Sequence, residues 1–139
     1  MDERSILESF GRQGLMRLLG ARITHVGAGV VHIRLDARDE VTQQHGYIHA
    51  GATGAIADTA GGYAALSVFP AGSDVLTVEY KINLLAPAQG EAIEAVGTVL
   101  RSGRTLTVCR LEVFALRGQE RTLVAAGQQT VIRIERAGS

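Results

Sequence analysis

Asp58 has the setting in this chain that most suggests chemistry. It lies between Ile48 and Leu66, a stretch that is otherwise almost entirely small and apolar, and no Lys or Arg occurs between Arg38 and Lys81. A helix of that composition is buried on most of its faces. A carboxylate withdrawn from water without a partner costs several kcal/mol in its charged form. An acid so placed, with no base near it in sequence, is suited to proton abstraction or nucleophilic attack. The other reactive types carry weaker signals. His45 and His49 are four apart, but Gly46 stands between them and no acidic partner completes a metal-binding pattern. Cys109 lies in a strand-like run with no His–Asp pattern around it and reads as a core thiol. Gly27-Ala28-Gly29 lacks the third glycine and following helix of a dinucleotide loop and reads as a turn. His25 and His32 read as surface positions on a strand.

The elements that must hold Asp58 follow from periodicity. Residues 3–19 predict one amphipathic helix, with Ile6, Phe10, Leu15, Leu18 and Leu19 near one face and Gly20 as its stop. Residues 21–36 predict a strand, in which Val31, Ile33 and Leu35 alternate with His32, Arg34 and Asp36. A polar loop over 37–47 leads into the apolar helix, about residues 49–67, which Phe69-Pro70-Ala71-Gly72-Ser73 ends. Four strands are expected at 74–86, 91–101, 105–117 and 121–134, joined by short links that imply antiparallel hairpins. Arg136 to Ser139 are expected to fray. Gly54, Ala57, Gly61 and Ala64 would let the helix approach a covering sheet closely. The order fits an α+β hotdog fold, a curved antiparallel sheet wrapped around one long central helix, with a short N-terminal helix.

Composition narrows the function classes. The 139 residues suit a single domain, 1–139, and 46% of them are apolar, enough for a real core. Lys plus Arg and Asp plus Glu each total 14, so the net charge is zero. That argues against nucleic acid as the main partner, since phosphate binding needs a basic surface. It also removes charge repulsion between copies. A single cysteine fits a reducing compartment. The charged start, Met1-Asp2-Glu3-Arg4, is unlike a signal peptide, and no run reaches the length of a membrane span. A cytoplasmic protein that needs neither membrane nor cofactor is expected.

The run Gly46-Tyr47-Ile48-His49-Ala50-Gly51, with Asp58 nine positions after the histidine, resembles the signature of the PaaI-like hotdog thioesterases, Gly-x-x-His-Gly-Gly followed by an acid. Leu76 to Ala88 resembles the family's central strand, and Ser102-Gly103-Arg104-Thr105-Leu106 one of its later turns. The resemblance spans roughly residues 20–134 and implies hydrolysis of acyl-coenzyme A thioesters. Carried over by position, Asp58 matches the acid and Ala50 the residue whose backbone N–H polarises the thioester carbonyl. Gln43 matches an Asn or Gln that orients substrate or water, and Thr77 a Ser or Thr beside the acid. His49 matches the motif histidine and reads either as a cap or packing residue of the helix or as a substrate contact. Gly51 and Tyr47 border it as candidate substrate contacts, and Arg104 is the candidate for coenzyme A phosphates. The chain departs from the family in having Ala50 where Gly is usual and Gln43 where Asn is common. Both changes bear on substrate shape more than on the reaction.

The physics of a helix start supports these roles. Its first N–H groups are free and its dipole favours negative charge, so an amide there can stabilise a developing oxyanion. Yet Asp58 lies eight residues past Ala50, about 12 Å along a helix axis. One thioester carbon cannot lie near both. The spacing therefore predicts a site shared by two copies, in a homodimer or, as the resemblance implies, a homotetramer built from two dimers. Two alternatives fit the fold: a hotdog hydratase or dehydratase, which would need a different Asp/His arrangement in the helix-entry loop, and a non-catalytic acyl-CoA-binding module.

Overall fold

The computed structural model describes residues 1–135, so the expected fraying of Arg136 to Ser139 lies outside the described residues. The chain begins with two short helices, α1 (Glu3–Gly11) and α2 (Gly14–Leu19). Strands β1 (Arg22–Gly27) and β2 (Val30–Asp36) follow, then a short 3₁₀ turn (Asp39–Val41) and the long helix α3 (Ala50–Ser67). Four longer strands complete it: β3 (Ser73–Leu84), β4 (Ala92–Ser102), β5 (Leu106–Arg117) and β6 (Glu120–Glu135). They form one six-stranded antiparallel sheet in the order β1-β2-β4-β5-β6-β3. The sheet curves around α3, which is the expected hotdog architecture.

Period-two burial explains the sheet. Val31, Ile33 and Leu35 of β2, and Cys109, Leu111 and Val113 of β5, point inward and are fully buried. They meet Ile56, Ala60 and Ala64 of α3. Two glycines set the depth of that contact. A Cβ on Gly97 of β4 would lie 2.4 Å from Gly61 N and 2.6 Å from Ala60 O, so helix backbone rests directly on strand backbone there. No side-chain movement can relieve such a contact.

The structure corrects three expectations. The helix over 3–19 is two helices, interrupted at Arg12 and Gln13, where glycines at 11 and 14 weaken the helix. The interruption re-phases the second half, so Ile6 and Met16 are buried while Leu15 and Leu18 face solvent. The strand over 21–36 is a hairpin that turns at Ala28 and Gly29, whose φ of 76° suits only glycine without strain. Finally, β3 and β4 are not a hairpin. The connection through Pro87 carries the chain across the sheet, β3 pairs with β6, and β4 lies between β2 and β5.

That last correction matters for the site. It leaves β3 at an edge of the sheet, with Leu76, Val78 and Leu84 each more than half exposed. None of the helices among the described residues is long and apolar enough to cross a membrane.

Candidate active site

The start of α3 is built by His49. Its extended backbone (φ −60°, ψ 137°) makes it the N-cap, and its Nδ1 accepts the Gly51 N–H at 2.7 Å. An accepting Nδ1 leaves the ring proton on Nε2. A Cβ on Gly51 would stand 2.9 Å from that nitrogen, so the cap needs glycine there. The His49 carbonyl accepts the next two donors, Ala52 N–H at 2.9 Å and Thr53 N–H at 3.1 Å. Of the four N–H groups that open the helix, the Ala50 N–H alone has no acceptor among the described residues. It is free at the positive end of the helix dipole.

This N–H borders a cavity of about 480 Å³ shared with Gln43, Tyr47 and His49 and walled by Leu84, Leu85 and Val124. Gln43 shapes the entry loop. Its Oε1 accepts the N–H groups of His45 (2.6 Å) and Tyr47 (3.3 Å), which leaves its Nε2 without an acceptor among the described residues. Gly46, at φ 85°, makes the turn between them possible.

Asp58 lies two turns along α3 and is half-buried. The Thr77 hydroxyl, on edge strand β3, donates to its Oδ1 at 2.7 Å. Gln129 Nε2, from β6, donates to the same Oδ1 and to the Asp58 carbonyl, both at 2.7 Å. None of the ion pairs among the described residues involves Asp58. Asp58 and Thr77 open on a second cavity of about 350 Å³, shared with Tyr63 and Asp74. The N-terminal helices close its far side: the Tyr63 hydroxyl is 2.9 Å from Ser9 Oγ and accepts from Gln13 Nε2 at 3.0 Å.

The residues singled out in the sequence thus form two groups. Gln43, Tyr47, His49 and Ala50 line the first cavity, Asp58 and Thr77 the second, and the cavities share no residue. Gly51 lies behind the helix start, its N–H taken by His49. Arg104 sits in the exposed turn between β4 and β5 and lines neither cavity. Cys109 is buried against the Gly61 carbonyl, and burial pushes its thiol up to about 11. Sequence reasoning missed Gln129. The signal was available: Ala125, Gly127, Gln129 and Val131 alternate along β6, which places one amide in an inward-facing column of apolar residues. Its Oε1 is buried without a partner, a cost of roughly 1–3 kcal/mol.

Comparison with known proteins places this chain in a family. Residues 45–122 match the thioesterase superfamily model. The crystal structure of a thioesterase-family protein from Silicibacter pomeroyi superposes with a TM-score of 0.92 at 38% identity, covering 96% of this chain and 98% of that one. The PaaI protein of E. coli, from the phenylacetic acid degradation operon, shares the fold with a TM-score of 0.81 at 22% identity, over 91% and 88% of the two chains. A 1,4-dihydroxy-2-naphthoyl-CoA hydrolase of Listeria monocytogenes is 25% identical over 100 residues, 72% of this chain and 81% of its own. The matched segment runs from the entry loop through α3 to the start of β6 and so contains Tyr47, His49, Ala50, Asp58 and Thr77, while Gln43 and Gln129 lie outside it; the chain belongs to the thioesterase superfamily, hotdog enzymes that hydrolyse acyl thioesters.

Proposed function

We propose that this chain hydrolyses acyl-coenzyme A thioesters at a site that two copies build together, Asp58 from one and the Ala50 N–H from the other. The observation that carries the reading is the separation of a free, dipole-backed amide and a buttressed carboxylate into two cavities of one chain. Each is half of what thioester cleavage requires. An edge strand with an unpaired side and exposed Leu76 and Val78 supports the pairing of copies, because such an edge invites a second strand. Thr77 is exposed in the single chain although it donates to Asp58, as expected of a residue that a partner covers. Pairing of such dimers would give the homotetramer.

In this reading the acyl group enters the cavity walled by Leu84 and Leu85, with Tyr47 and His49 at its mouth and Gln43 Nε2 aimed at substrate or water. Asp58 takes a proton from water as the water oxygen bonds the thioester carbon. The carbonyl oxygen gains charge and accepts the Ala50 N–H. Collapse breaks the C–S bond, and the proton held by Asp58 passes to the departing thiolate. Direct attack by the Asp58 carboxylate on the thioester carbon, breaking the C–S bond and releasing the thiolate, would give an anhydride that water then opens to free acid and carboxylate, and it uses the same placement. The relative that hydrolyses a naphthoyl-CoA supports coenzyme A as the leaving thiol, and Arg104 is the proposed phosphate contact.

The test is thiol release from a panel of aryl- and alkyl-CoA thioesters, with wild type beside Asp58→Ala and Asp58→Asn. The expected result is a fall in turnover of ~10³-fold or more in both variants, with the fold intact. Unchanged rates in both would remove Asp58 from the chemistry.

A further inference from the structure

We infer that Gln129 is a positioning residue for Asp58, pinning one carboxylate oxygen so that Oδ2 alone faces the reacting atoms. The inference rests on the proposed role of Asp58 and deepens it. Gln129 is 1% exposed and 71 residues away in sequence. Its Nε2 donates to the Asp58 backbone carbonyl and to Oδ1, both at 2.7 Å, and makes a longer contact of 3.4 Å to Thr77 Oγ1. The Thr77 hydroxyl converges on the same Oδ1, so two donors hold one oxygen and no donor among the described residues reaches the other. A carboxylate held this way cannot exchange its oxygens by rotation about the Cβ–Cγ bond, and the free oxygen keeps a fixed direction.

The amide that does the holding is itself held. Reversing it would put Oε1 against the carboxylate, two acceptors face to face, so the orientation has one solution. Gly61, three residues past Asp58, makes room: a Cβ there would lie 2.1 Å from Gln129 Oε1 and 2.7 Å from a Leu111 methyl. The unpartnered Oε1 completes the case. A methionine would fill the same space without the orphaned acceptor, a gain comparable to the two hydrogen bonds it would lose, so stability alone gives little reason for an amide here. The reason lies in what Nε2 does.

Gln129→Met tests this, measured beside Asp58→Asn with an acyl-CoA substrate and by thermal unfolding. Positioning predicts that kcat falls about 10- to 100-fold, KM stays within about threefold, and the unfolding temperature does not drop. A Gln129→Met enzyme with kcat within twofold of wild type, while Asp58→Asn is inactive, overturns the inference and leaves the role of Asp58 standing. A lowered unfolding temperature with unchanged kcat also overturns it, since that is a structural role. An active Asp58→Asn enzyme instead brings down the reading on which the inference rests. If Gln129→Met does not fold, ¹H–¹⁵N spectra of the unmodified protein decide. The Gln129 side-chain NH₂ should give two slowly exchanging resonances, one moved upfield by Asp58→Asn. Fast exchange at free-amide positions overturns the inference.

Discussion

A backbone donor is normally beyond the reach of mutagenesis, but Ala50 is an exception. It is the first residue of α3, the position where proline is best tolerated in a helix. Its N–H has no acceptor among the described residues, so Ala50→Pro breaks no hydrogen bond. The preceding His49 already has the extended backbone, ψ 137°, that a following proline demands. Stability should therefore change by only about 0.5 kcal/mol. Turnover should fall ~10²–10³-fold, the usual loss of one oxyanion donor. The variant becomes more informative when mixed with Asp58→Asn. In a two-fold dimer with shared sites, a mixed pair has one site with both lesions and one with neither. Random pairing at equal amounts makes half of all dimers mixed, so about one quarter of wild-type activity per chain returns from two nearly inactive proteins. The reciprocal experiment puts both changes in one chain and mixes it equally with wild type. A shared site then leaves about one quarter of full activity, a site within one chain about one half. Co-expression with two purification tags and a thiol-release assay measures both. No recovery in the first mixture and about one half in the second would refute a site built by two copies.

Other consequences follow from packing and burial. Gly97→Ala drives a methyl into the α3 backbone at Gly61 and Ala60, where no rotamer can yield, and should destabilise by about 3 kcal/mol in thermal or denaturant unfolding. Because Asp58 rides on the same helix, residual folded protein should also turn over more slowly. Val78→Asp on the edge strand should shift sedimentation toward monomer and abolish activity: each copy loses roughly 1–2 kcal/mol of apolar burial and places a carboxylate in the seam. Cys109 should resist thiol reagents near neutral pH until the protein unfolds, because burial keeps it protonated. The sign is that of an acid with a raised folded value: the folded state disfavours thiolate, so stability falls as pH rises from the ordinary value of 9.0 toward about 11, and Cys109→Ala flattens that decline.

Much of this was legible from residue types because the relevant forces are local. The alternation of Val31, Ile33 and Leu35 and the small-residue run around Asp58 each report burial directly, and burial fixes which faces meet. Helix geometry alone separated Ala50 from Asp58. What stayed hidden depends on contacts remote in sequence. The crossing of β3 to the far edge is set by which strand covers β6, and no local signal near Pro87 reports it. The break at Gln13 was visible as two nearby glycines, but the amphipathic pattern across it suggested continuity. Gln129 was passed over because a Gln on a strand is ordinarily solvated; its alternation with Ala125, Gly127 and Val131 marks it as inward-facing, but its meaning depends on Gly61 and Asp58 arriving opposite it.

The same close approach that packs the core also sets the acid. Gly97 lets α3 settle onto β4, and Gly61 lets that same turn of helix admit the Gln129 amide from β6. Only at that depth can Nε2 reach the Asp58 carbonyl and carboxylate together. At the other end of α3 the histidine cap uses one amide, the His49 carbonyl takes two more, and one is left over at the point of greatest dipole charge. A single helix thus carries a pinned carboxylate and an unspent donor, separated by more than any thioester can bridge. In the proposed dimer, two such helices side by side in opposite directions would bring each acid to the other's start. On this view the small residues of α3 serve the chemistry as well as the core, since a bulkier helix would stand off the sheet and leave Asp58 without its Gln129 partner.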